Sequence, residues 1–191
     1  MKQKTVIPAG EGWTEKSIRE FGGSPVKRIG EEWMLITAGR TAEDAGNWNT
    51  MTASWGGFGV LWSRDVAFAF IRPTRHTRSF ADDNPLFTLS FFDAKYHSAL
   101  AFCGGKSGRD FDKAAETGLT PVVFDAKIAG GRAADAVGFA EASDIIICRK
   151  LYTHDFDPAK MLDPAIDRDC YPQKDYHRMY VGEALALLSK K

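Results

Sequence analysis

The chain has only three cysteines, Cys103, Cys148 and Cys170. They are far apart and odd in number, so no full disulfide framework holds the fold. No Cys-x-x-Cys pair occurs, which argues against a structural zinc or thioredoxin-type site. Net charge is also lacking: 25 Lys and Arg balance 25 Asp and Glu. That balance gives no support for broad nucleic-acid or anionic-membrane binding. No apolar run approaches a membrane span. The opening "MKQKTVIPAGEGW" has charges with no apolar stretch behind them, unlike a secretory signal. These absences predict a cytoplasmic, reducing setting with neither a membrane nor a nucleic-acid partner.

The usual catalytic and nucleotide-binding motifs are missing too. "GGKSG" (Gly104 to Gly108) looks like part of a phosphate loop, but the first glycine of that motif would fall at Leu100. No Gly-x-Gly-x-x-Gly follows a strand, and there is no Gly-x-Ser-x-Gly elbow. His76, His97, His154 and His177 are dispersed. The run "HDFD" at His154, Asp155 and Asp157 reads as a solvated turn before a metal site. No catalytic acid, base, nucleophile or metal ligand stands out.

What remains is an ordinary globular composition, 44% hydrophobic and 26% charged over 191 residues, enough for one domain with its own core. Residues 1–30 are rich in Gly, Pro and charge and read as an arm, with a short helix near Ser17–Phe21. Residues 31–191 read as a single domain. Within it, "EEWMLITAG" is a strand closed by glycine, and "AGRTAEDAGNW" is a polar connection. "NTMTASWGGFGVLW" is the next strand candidate. "VAFAFIRP" has the continuous apolar run of a strand buried on both faces, ended by Pro73. Thr77 is placed as a helix N-cap. "LFTLSFF" is a strand, and "AKYHSALAFCGG" and "RDFDKAAETGL" are helices, the latter capped by Gly118. "TPVVFDAKIAG" is a strand pair or hairpin, "VGFAEASDIIICRKLYTHDF" one or two strands, and "HRMYVGEALALLSKK" begins as a strand and is ambiguous after Gly182. Many strands with short helices between them predict a mostly antiparallel β-barrel with small helical insertions, not a doubly wound sheet.

Two stretches carry a binding chemistry together. "TMTAS" offers hydroxyls beside Ala53, where a small side chain lets backbone approach a flat ring. "IRPTRHTRS" offers Arg72, Arg75 and Arg78 with Thr74, Thr77 and Ser79 where a strand ends and a helix opens, a suitable place for an anion. About ten residues separate them, roughly one antiparallel return, so they are expected on neighbouring strands. Each stretch has a plainer reading, as barrel packing or as a solvated corner.

"NTMTASWGGFGVLWSRDVAFAFIRPTRHT", followed by "FTLSFF", "CGGKSGRDFDKAAETGLTP" and "DYHRMYVGEAL", resembles the flavin reductase-like family with the FMN-binding split barrel. The similarity runs from about Trp33 to Leu185. It is closest to the flavoredoxin-type branch; the histidine and arginine signature that often ends the short reductase partners of two-component monooxygenases is absent. The resemblance implies a homodimer with FMN in a groove near the dimer interface. It puts Asn49, Met51, Thr52, Ala53, Ser54 and Trp55 along the flavin, with Gly56, Gly57 and Gly59 in a following loop. Arg72, Arg75, His76 and Thr77 fall near the phosphate or ribityl chain, and Ser90 and Phe91 near the ring. Lys113, Thr117, Gly118 and Leu119 belong to a helix and turn near the site, touching ligand or shaping the wall. The implied activity is hydride transfer from NADH or NADPH to flavin, then electron transfer to a small-molecule acceptor or a redox partner protein. The alternatives are an FMN electron carrier reduced by a protein partner, and a barrel that binds another planar ligand or none.

Overall fold

The computed structural model describes residues 12–39, 48–127 and 133–191. The polar connection at 40–47, the first eleven residues and residues 128–132 lie outside them. Fifteen elements follow in order: β1 (Trp13–Lys16), α1 (Pro25–Gly30), β2 (Met34–Gly39), β3 (Trp48–Ala53), β4 (Gly56–Leu61), β5 (Arg64–Ile71), α2 (Thr77–Asp83), β6 (Leu86–Phe91), α3 (His97–Gly105), α4 (Lys113–Thr117), β7 (Pro121–Lys127), β8 (Ala133–Phe139), β9 (Asp144–Asp155), α5 (Pro164–Cys170) and β10 (Arg178–Lys190), with short 3-10 turns between.

Eight strands form one sheet in the order β3-β2-β6-β9-β10-β5-β4, with β1 added against β10. Every pairing is antiparallel. The end strands β3 and β4 are consecutive in the chain, joined only by Ser54 and Trp55, so the sheet must curl until its edges meet. A Cβ on Gly56 of β4 would lie 2.9 Å from the Met34 methyl of β2. Among the described residues no backbone ladder closes the seam between β3 and β4. The barrel is therefore open along β3, and the groove described below runs beside that strand.

Period-two alternation sorts the side chains into two cores. Met34 and Ile36 of β2, Met51 and Ala53 of β3, and Ile146 and Cys148 of β9 fill the barrel. Leu35, Ile145 and Ile147 point the other way, onto α3 and the β7–β8 hairpin, where Leu100, Cys103, Val122 and Phe124 meet them. Both faces of β2, β6 and β9 are thus covered, which explains their unbroken apolar runs. β5 differs from its sequence reading. Ala67, Ala69 and Ile71 face inward, while on the opposite face Val66 is fully buried but Phe68 and Phe70 are only half-buried, so this strand is covered completely on one face and only in part on the other.

One further expectation is corrected and two open readings are resolved. "NTMTASWGGFGVLW" is two strands, and Gly56, Gly57 and Gly59 belong to β4, not to a loop. "VGF" belongs to β8, which is the hairpin partner of β7. The tail is one strand through Gly182, where a Cβ would lie 2.6 Å from the Phe87 ring. The segment read as an arm supplies β1, paired with the end of β10, and the short 3-10 turn Ile18–Glu20, capped by Ser17 and Glu20.

Candidate functional site

β3 is an end strand, and its exposed flank faces α3 and the segment that follows β5. Pro73 stops the β5 ladder, and two successive tight turns follow, with Arg75 N–H donating to Arg72 O (3.1 Å) and Arg78 N–H to Arg75 O (3.0 Å). They swing residues 72–77 back towards β3, although β3 and β5 are not neighbours in the sheet as the sequence spacing suggests. Asn49 Nδ2 donates to Thr77 Oγ1 at 2.8 Å and ties the two stretches together.

Three adjoining depressions form one groove. The largest, of about 400 Å³, lies between residues 72–77, the loop Gly105–Gly108, Lys113 and the Pro172–Asp175 connection. A second, of about 140 Å³, follows Met51 to Trp55, with Phe70 and His177 opposite. The third, of about 310 Å³, is bounded by Trp33, Thr52, Ser54, Leu100, Ala101 and Gly104. Arg75 is common to all three. Its guanidinium donates to Gly104 O; burial first, then the nearby Arg72, draws its pKa below the usual value.

The structure thus brings Met51, Thr52, Ala53, Ser54, Trp55, Arg72, Arg75, His76 and Thr77 to one groove. Asn49 does not line it; it is 7% exposed and bonded to Thr77. Ser90 and Phe91 are not in it: both are fully buried in the middle of the sheet, Phe91 packed on Phe21 and Phe58. The hydroxyls of β3 also differ from expectation. Thr50 donates to Ile36 O (3.1 Å) and pairs with Thr37, and Thr52 donates to Leu100 O, which leaves the exposed Ser54 hydroxyl facing the groove. Thr77 is the first residue of α2, not its cap; His76 holds the cap position without a side-chain bond.

The arginines divide the same way. Arg78 is spent on Asp82 and Asp155. Arg72 pairs with Asp175 at 2.7 Å, donates to Cys170 O at 2.8 Å and lies over the Tyr171 ring. It anchors the far wall and its charge is offset there. Nδ1 of His76 is sealed from solvent with no hydrogen-bond partner, and burial, Arg109 and Lys113 lower its pKa. His177 packs on Trp55 (ring centroids 5.0 Å) and shares a 2.8 Å hydrogen bond through Nδ1 with the Tyr171 hydroxyl. Burial, then Arg72, push its pKa down to about 4, so it is a neutral imidazole at physiological pH.

Sequence reasoning missed Trp33, the Gly105–Gly108 loop and the Pro172–Asp175 wall. "GGKSG" is rejected as a phosphate loop on spacing, yet its small polar residues between two helices were a usable signal: Lys106 and Ser107 line the largest depression. Trp33, with φ 67° and its ring 4.1 Å from His97, carried no local signal.

The donor set suits a phosphate followed by a flat ring. Arg75, Lys106, Lys113, Thr74 and Ser107 border the large cleft, and its single acidic lining residue, Asp175, is engaged by Arg72. His76 lines the same cleft, with its Nδ1 sealed from solvent. Aromatic and small residues border the rest of the groove.

No protein-family profile and no curated protein sequence matches the chain. Solved structures do. A flavoredoxin from Methanosarcina acetivorans superposes with TM-score 0.58 at 18% identity, covering 84% of this chain and 69% of that one. The fold is the FMN-binding split barrel. An FMN-binding domain of a flavin reductases-like enzyme from Shewanella baltica shares this split barrel with TM-score 0.56 at 16% identity, covering 86% and 72%. A Streptomyces globisporus NADH:FAD oxidoreductase, in complex with NAD and FAD fragments, does so at 0.52 and 15%, covering 83% and 74%.

Proposed function

We propose that this split barrel binds FMN along β3 and works as an NAD(P)H-dependent flavin oxidoreductase. The observation that carries the reading is the cleft around Arg75, cationic and hydroxyl-rich, opening into an aromatic groove. Bound FMN would supply hydride acceptance and onward electron transfer, so the chain needs no acid, base or nucleophile for that chemistry. Arg75, Thr74, His76 and Ser107 hold the phosphate. Met51, Ala53 and Ser54 offer backbone and a hydroxyl to the ring edge, and Trp55 and Trp33 wall the ring. His177, neutral and oriented by Tyr171, adds a polar nitrogen without adding charge. The exposed Trp62 and Val60 at the β4–β5 turn, with Tyr152 beside Trp62, support a homodimer as the working unit. The expected setting is the cytoplasm, with a small-molecule acceptor or redox protein receiving electrons.

FMN is expected to show saturable fluorescence quenching on titration with the protein, and anaerobic NADH or NADPH to bleach the flavin band of the complex. A protein that ignores added FMN would sink the reading. The likeness in fold to a flavoredoxin favours a second one, an FMN electron carrier reduced by a partner protein. A complex that stays oxidised with both nicotinamides selects it.

A further inference from the structure

We propose that Lys113 takes the ligand's phosphate as its counter-ion and so sets the preference for a phosphorylated flavin over the unphosphorylated one; this rests on the FMN reading above. Lys113 opens the five-residue α4, between its cap Asp112 and Gly118 at φ 68°. Its side chain runs inward and is 6% exposed. Nζ donates to Thr50 O and Cys103 O, each at 2.7 Å. An ammonium has three N–H donors, so one remains for the cleft that Lys113 lines.

Among the described residues no carboxylate lies within ion-pair distance of Lys113. The groups around it do not neutralise it. Arg75, from the segment after β5, is of like sign. The Cys103 thiol of α3 stays protonated, pushed up to about 11 by burial. His76 is drawn toward its neutral form. Arg109 and Lys106 of the nearby loop are cationic, and Asp175 across the cleft is paired with Arg72. A buried ammonium without a counter-charge is costly, and burial lowers its pKa from 10.5 to about 8. A phosphate in the cleft supplies the missing charge. A strut joining β3 to α3 is the plainer role, but two carbonyl bonds need only a neutral amine and leave the third donor unexplained.

The sign follows from the lowered value. The free groove holds the Lys113 proton below about pH 8 and loses it above. A phosphomonoester is mostly dianionic from pH 7 upward, since its second pKa is about 6. FMN affinity is therefore expected to fall about tenfold between pH 7 and pH 9, as the protonated fraction falls, while riboflavin affinity stays level.

The test titrates FMN and riboflavin at both pH values into the wild type, Lys113→Met and Lys113→Arg, with melting curves for each. Lys113→Met is expected to lose FMN affinity at pH 7, keep riboflavin affinity and lose the pH dependence. Lys113→Arg, whose charge does not titrate, is expected to keep the preference for FMN without the pH dependence. Equal loss of both ligands in a folded Lys113→Met, or a level wild-type FMN profile, overturns the proposal. If neither flavin binds, the FMN reading falls by itself, and the Lys113 titration followed by NMR with inorganic phosphate still decides. Phosphate should raise its pKa; an unmoved titration overturns the proposal.

Discussion

Arg75→Ala is expected to weaken FMN binding by about 1.5–3 kcal/mol, the range for a hydrogen bond to a charged group, or roughly 10- to 150-fold. The residue earns this weight by position, since it alone borders all three depressions. It has no carboxylate partner among the described ion pairs, whereas Arg72 has Asp175 and Arg78 has Asp82 and Asp155. The phosphate should carry most of the loss, so riboflavin affinity should change much less. Arg75 also donates to Gly104 O, and a shift in melting temperature will reveal any looseness at the end of α3. Arg72→Ala makes the contrast. It would free Asp175 and the Cys170 carbonyl, so its loss should appear first as destabilisation of the far wall. Unchanged FMN affinity in a folded Arg75→Ala would remove Arg75 from the phosphate site.

The barrel was legible because strands buried on both faces leave unbroken apolar runs, as in "DIIIC", where Ile145 to Cys148 are all buried. The break between β3 and β4 was not. Ser54 and Trp55 carry no glycine or proline, and only the curl of the sheet requires the chain to turn there. Half of the site was legible for a similar reason. Residues 72–77 combine charge, hydroxyls and a proline within a few positions. The neutralisation of Arg72 by Asp175 was hidden, because the partners are 103 residues apart in sequence. Ser90 and Phe91 were placed at the ring by resemblance alone, and β6 lies in mid-sheet between β2 and β9, away from the open edge. Spacing also misled for β3 and β5, which share no ladder; the tie runs from Asn49 of β3 to Thr77, the first residue of α2.

That tie makes Gly108→Ala the other substitution with a large expected effect. A Cβ at Gly108 would stand 2.0 Å from Asn49 Oδ1 and 2.8 Å from its Cγ. Asn49 is 7% exposed and its amide is committed to the fully buried Thr77 hydroxyl, so it has nowhere to swing. Either the loop carrying Lys106 and Ser107 lifts, or the bond between Asn49 and Thr77 breaks. Overpacking costs about 1–3 kcal/mol, and an orphaned buried polar group about 1–3 kcal/mol more. Stability should fall by this amount in thermal or urea melts. FMN affinity should fall as well, because one wall of the cleft is displaced in either case. Gly105→Ala, which meets nothing within 4 Å, should melt like the wild type. Asn49→Ala makes room for the new methyl, so Gly108→Ala should cost less in that background, a coupling that a double-mutant cycle measures directly. Additive costs would mean that Asn49 does not set the position of the loop. A cost smaller than the sum would give Asn49, expected from resemblance to touch the flavin, a role as the spacer that holds the loop carrying Lys106 and Ser107 in place.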